Sequence, residues 1–363
     1  PFHIFSTIIK DSLNISILDD KNTVENKFQG GIDNLIKINP LRKEDLKSSK
    51  AFLGMLLGVK IDDERLNNKE EFIHHMHTSL RTFIECECTK SNRSDIPYIL
   101  ILEDIHWIDK MSYNALLFIL DTLNLKTKRG EDELSLPIIL STFRNEYIPE
   151  ESLINITNFK NLQLNHLTKD SSIKLIEVLS TNANLSDIKK KELFSKSQGN
   201  PFFIEEWINL YNDSSTTKAS ADFDIPDSLN SLILTRIDSL EKDIKNLLQT
   251  ATVMGEDFFL KMLSLLQVKL GQSNDINAPI KHLENENFIQ EFIQEPEHYK
   301  FKHILTRDVS YNTILKTNKK IIHHAAAEVI EENFKDSIDN FLYDLAVHYD
   351  VSENYDKAID YLK

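Results

Sequence analysis

Two short runs constrain this chain more than anything else in it. Pro97–Leu102 is a continuous apolar run and Leu136–Thr142, apolar through Leu140 and closing on Ser141-Thr142, is another, both rich in Ile and Leu with none of the polar alternation of a half-buried strand. Between them lie Ser112–Leu125, apolar at helical period, and a charged stretch at Lys126–Glu133. Strands that are apolar on both faces, joined by a helix, are what a parallel sheet covered on both sides requires. The early part of the chain is therefore expected to be α/β. A third run, Asn161–Asn165, is shorter and alternating, and reads as a third strand. Residues 1–90 read as helix and loop, broken at Gly30-Gly31 and at Asn39-Pro40.

Past residue 165 the strand signal nearly stops. Thr168-Lys169-Asp170 is cap-like and opens an amphipathic helix over Asp170–Ser180; Ser186–Ser197 is another with Gly199 as its stop, and Pro201–Tyr211 a third. Asn212–Asp224, rich in Ser, Thr and Asp, reads as a linker. Ser228–Leu240, Glu241–Met254, Phe258–Val268 and Ala278–Glu284 follow as helices, then Phe288–Ile293 and His298–His303 as two short strands, the outline of a winged helix. Lys319–Phe334 and Ser337–Lys363 are helical, the latter turning at Val351–Asn354.

Composition excludes several classes. With 42 basic and 57 acidic residues the net charge is -15, and no run of Lys and Arg is long enough to neutralise a line of phosphates, so nucleic acid is not an expected partner of this stretch. The longest apolar runs fall far short of the ~20 residues a membrane-spanning helix needs, so no span is expected. Cys86 and Cys88 are too few and too close for a disulfide framework, which suggests a reducing, cytoplasmic setting. His74, His75 and His77 precede them, but Phe72, Ile73, Met76, Leu80, Phe83 and Ile84 recur at helical spacing. On one helix His77 and Cys88 stand about 16 Å apart, too far to share an ion.

Chemistry concentrates in a few strings. Ile99–Leu102 runs straight into Glu103-Asp104, placing two carboxylates at the carboxyl edge of the expected parallel sheet, where open α/β folds bind ligands. In a nucleotide hydrolase such a pair holds Mg²⁺ and polarises the attacking water; the alternative is a strand that ends in acidic loop residues. The next strand ends in Thr142-Phe143-Arg144, whose guanidinium can read a terminal phosphate or pair on the surface with Glu146 or Glu150. Ser197–Glu206 joins a helix stop to a helix start through Gly199 and Pro201, by itself a structural corner.

Taken in order, LEDIHWID (102–109), STFR (141–144), SQGNPFFIEEW (197–207), IPDSLNSLILTRIDSL (225–240), LLQTATVMGEDF (247–258) and FKHILTRDVSYNTIL (301–315) resemble the ATPase module of the STAND class of P-loop NTPases. The likeness is to the version attached to class III adenylate or guanylate cyclases, to kinases or to LuxR-type regulators. It implies an α/β fold: a partial P-loop NTPase core with a parallel sheet over 1–166, an all-α lid over 167–215, a winged helix over 222–318 and, over 319–363, the start of a tetratricopeptide array. It implies ATP or ADP with Mg²⁺ as cofactors. Glu103 and Asp104 would stand at the metal, Asp104 and Arg144 would be catalytic, and Glu103, Gly199, Pro201 and His303 would bind the nucleotide. His303 could equally be an ordinary half-buried strand histidine.

The departure is the Walker A loop. G-x-x-x-x-G-K-[ST] is absent, and among only 8 glycines, where about 25 are usual, Gly54 and Gly58 come nearest, followed by Val59 before Lys60. In the family the segment resembling Pro1–Phe5 follows the P-loop helix, so the chain reads as an internal fragment whose loop lies upstream and which is inactive alone. The expectation is thus a regulatory ATP-dependent switch, hinged near Asn212–Asp224, governing an attached cyclase or kinase, with protein partners on the tetratricopeptide part. A non-catalytic interaction scaffold and the ATPase part of a LuxR-like regulator are the alternatives.

Overall fold

The computed structural model describes residues 2–92, 96–128, 137–147, 149, 151–154, 159–180, 185–214, 224–273, 275–293 and 295–363. These are mostly helical and divide into two compact units, Pro1–Gln163 and Leu164–Lys363.

The first unit opens with α1 (His3–Ser12), α2 (Lys21–Ile38), α3 (Lys43–Met55) and α4 (Lys69–Asn92). Asp20 caps α2, its carboxylate accepting from the Thr23 amide at 2.7 Å. The core joins Phe28, Ile32, Leu46, Phe52, Leu80 and Phe83 of the helices to Leu100 and Leu102 of β1 (Ile99–Leu102) and to Ala115 and Ile119 of α5 (Lys110–Lys128). β2 (Ile138–Ser141) pairs with β1 in parallel, Ile99 opposite Ile138 and Leu102 opposite Ser141. A short helix, α6 (Glu151–Ile154), follows. Histidines 74, 75 and 77 and cysteines 86 and 88 lie on the single helix α4, as their spacing predicts. Burial pushes both thiols up to about 12, and among the described residues no three His, Cys, Asp or Glu side chains could hold a metal.

Two expectations for this sheet fail. Asn161–Asn165 is not a strand: it pairs with nothing in the sheet, and Leu162 and Leu164 are about four-fifths exposed. Nor is the sheet covered on both faces by the described residues. Leu100 and Leu102 are buried, whereas Ile99, Ile101, Ile138 and Leu140 on the other face are each more than half exposed. Pattern alone tells what cover a strand suits, not whether this stretch of chain supplies it.

The second unit begins with α7 (Lys169–Leu179), capped by Thr168, then α8 (Asp187–Ser197), capped by Ser186, and α9 (Pro201–Ser214). Trp207, fully buried, centres a core with Ile176, Leu193 and Phe203 that also takes in Ile225 and Leu232. The linker read at Asn212–Asp224 lies mostly outside the described residues. α10 (Leu229–Ser239) and α11 (Lys242–Met254) follow, then β3 (Asp257–Phe259), α12 (Leu260–Lys269), α13 (Asn277–Asn285), β4 (Ile289–Glu291), β5 (His298–Phe301) and α14 (Ile304–Thr313). The three strands form an antiparallel sheet in the order β3-β5-β4. β3 corrects the helix read from Phe258: Gly255, at φ 130, breaks the chain after α11, and Phe258 pairs with Tyr299 before the helix starts at Leu260. α15 (Lys316–Asn333), a 3-10 turn over 335–341, α16 (Leu342–Val351) and α17 (Tyr355–Leu362) complete the unit.

Candidate functional site

β1 and β2 run parallel, so both carboxyl ends emerge on one edge, and Glu103, Asp104, Thr142 and Arg144 are the residues that follow them. Glu103 and Asp104 are exposed. Asp104 takes the left-handed conformation, φ 50 and ψ 45, unusual for a residue with a side chain. Thr142 holds it there. Its backbone amide donates to the Leu102 carbonyl at 3.0 Å, its hydroxyl accepts from the Asp104 amide at 3.0 Å, and its carbonyl accepts from Ile105 at 2.9 Å. The turn after β1 is thus laced to the end of β2, which fixes where the Asp104 carboxylate leaves the backbone.

His106, next in the string, is one-tenth exposed, and neither ring nitrogen has a hydrogen-bond partner; Nδ1 lies 3.7 Å from Asp104 Oδ1. Asp109 has a structural task. It precedes α5 and accepts from the amides of Met111 (3.1 Å) and Ser112 (2.9 Å), from the Ser112 hydroxyl at 2.5 Å, and from the Phe2 amide at 3.3 Å. Burial raises its pKa, but these bonds outweigh it and leave the carboxyl at about 2. An aspartate directly before a helix start is a favoured N-cap, which makes this role of Asp109 legible in the sequence. Arg144 is exposed and forms no ion pair with another described residue.

Gly199, Pro201 and His303 lie in the other unit. Gln198, at φ 50, and Gly199, at φ 77, turn the chain out of α8. A Cβ on Gly199 would stand 2.2 Å from the Leu167 carbonyl oxygen, and Leu167 donates its amide to the Gly199 carbonyl at 2.8 Å, so both conformation and crowding require glycine. Pro201 is the exposed first residue of α9, and Asn200 Oδ1 accepts from the Phe202 amide at 2.9 Å. His303 packs its ring on Phe202, centroids 3.8 Å apart, with a buried Nε2 that has no partner. Burial lowers its pKa; Glu205 opposes this, and Lys302 and Arg236 reinforce it. The sequence-derived residues therefore fall into two groups: Glu103, Asp104 and Arg144 on one sheet edge, and Gly199, Pro201 and His303 around the start of α9. Thr142 and His106 were not singled out as site residues, although each sits inside a string that was.

No protein-family model matches the chain. An uncharacterised protein of Rhizobium meliloti (strain 1021) is 23% identical over 267 residues, covering 71% of this chain and 24% of that protein. The chain thus spans about a quarter of the length of this relative.

Proposed function

We propose that the chain is part of a regulatory nucleotide-dependent switch of the STAND ATPase type, with ATP or ADP and Mg²⁺ at the carboxyl edge of β1 and β2. One observation carries this reading. Two adjacent parallel strands end together in a carboxylate pair and an arginine, and the aspartate is held in a strained conformation by the neighbouring strand's threonine. Strain held in place by surrounding structure is a mark of sites where geometry matters. Glu103 would hold the cation through water, Asp104 would orient the attacking water, and Arg144 would meet the terminal phosphate. A metal at that edge would supply charge neutralisation of the phosphates.

Further support comes from the second unit. Helices α10 to α13 with the β3-β5-β4 sheet suit a winged helix, and α7 to α9 a helical lid. Within this unit the Gly199–Pro201 corner and His303 meet through Phe202, as the resemblance implies for residues of one functional corner. The cyclase, kinase or other output belongs to the same proposal, as does a cytoplasmic setting. No described helix is long and apolar enough to cross a membrane.

The test is nucleotide turnover by the native protein. Loss of turnover in Asp104→Asn with ADP binding retained is expected; turnover indifferent to Asp104 and Arg144 would refute the assignment. A scaffold reading is favoured by one feature. Tyr355, Ile359 and Leu362 of α17 are more than half exposed, an apolar face suited to a further helix. It predicts that Glu103→Gln and Arg144→Ala leave function unchanged.

A further inference from the structure

Glu206 on α9 and Arg236 on α10 form an ion pair at 2.6 Å, and both side chains are only 2% exposed. The other arm of the guanidinium donates to the carbonyl of Glu286, just past α13, and its plane lies over the Phe288 ring, 4.5 Å from the centroid. One buried arginine thereby joins the helices read as a lid to two segments of the helix-and-hairpin region. Its neighbours repeat the connection: Lys302 pairs with Glu205, and His303 packs against Phe202. On the far side Lys196 of α8 reaches the Ile225 carbonyl and, at 2.9 Å, Asp227. Beneath these contacts Ile225 and Leu232 share the Trp207 core.

Separating these parts would break the Glu206–Arg236 pair and the Lys302–Glu205 pair and would open the core around Trp207. Burial already raises the Glu206 pKa, against the pull of Arg236, which is the mark of a charge that depends on its partner. A hinge between them near Asn212–Asp224 would have to break all of this at each cycle.

We propose that Glu206–Arg236 is a latch that makes residues 167–214 and 224–314 one mechanical body, so that any conformational switch in this chain pivots outside them. This holds whatever ligand drives the switch.

The test uses the whole chain with a protease recognition sequence inserted between Thr217 and Lys218. After cleavage the two pieces are expected to elute as one particle at micromolar concentration, and the second unit is expected to unfold in urea in a single transition. Glu206→Gln should weaken their association at least tenfold, whereas Lys245→Ala, which removes the more exposed Lys245–Asp238 pair, should leave it unchanged. Separation of the unsubstituted pieces on cleavage would overturn the proposal without any variant having to fold. Association in Glu206→Gln as tight as in the unsubstituted chain would remove the latch role from the pair.

Discussion

The two sheets of this protein meet water differently. In the second unit β5 lies between β3 and β4, and its Tyr299 and Phe301 are buried while His298 and Lys300, alternating with them, are half-buried. In the first unit β1 and β2 bury one face and leave Ile99, Ile101, Ile138 and Leu140 open. The antiparallel sheet carries the alternation that suits its surroundings, whereas the parallel pair has a composition suited to cover on both sides. The difference teaches that stability and chemistry are divided: the second unit is closed around polar latches, and the first presents an apolar face beside its acidic tip.

The largest expected effects break the closed side of that comparison. Arg236→Met, which strands Glu206, should cost about 3–5 kcal/mol in urea unfolding of the second unit. Gly199→Val should cost about 3 kcal/mol or more, because φ 77 and the Leu167 carbonyl both exclude a side chain.

Acid should also act on the second unit. His323 on α15 and His348 on α16 share a hydrogen bond at 2.9 Å between their Nδ1 atoms, and the Tyr311 hydroxyl lies 3.0 Å from His323 Nε2. Burial, with Lys319 and Arg307 adding to it, lowers His323 to about 4; burial and then His323 lower His348 to about 3. Both folded values lie below the ordinary one, so the unfolded chain takes up protons first as pH falls. Stability present above about pH 6.5 should therefore drain away between pH 6.5 and 4 and level off below about 3. The loss from pH 7 to pH 5 is on the order of 2–4 kcal/mol, read by urea midpoints, and His323→Phe combined with His348→Leu should flatten it.

The open sheet sharpens the comparison within one strand. Leu100→Ala should cost about 2–4 kcal/mol, and Ile101→Thr, one residue on, no more than about 0.5 kcal/mol. A smaller effect is expected at Thr142→Val, about 1 kcal/mol, from the lost hydroxyl bond to the Asp104 amide.

Much of this was readable in advance, for reasons that differ by residue. Helix α4 was legible because its apolar spacing repeats from Phe72 to Ile84 over about three and a half turns, and the corner at Gly199-Asn200-Pro201 because helix stops and starts have their own chemistry. The parallel strands were legible from unbroken apolar runs. Asn161–Asn165 was misread because alternation gives a strand its face but not its partner. β3 was missed because Phe258 and Phe259 fit a helix pattern equally well, and only pairing with Tyr299 and His298 decides. The Glu206–Arg236 pair could not be read at all, since nothing local ties residues thirty positions apart. Thr142 was in view as a strand end, but its grip on Asp104 depends on the register of two strands.

Phosphate release measures most directly whether the acidic edge is a nucleotide site. MgATP turnover by the native protein should be detectable and should fall at least a hundredfold in Asp104→Asn. Turnover that Asp104→Asn and Arg144→Ala leave untouched would contradict that assignment.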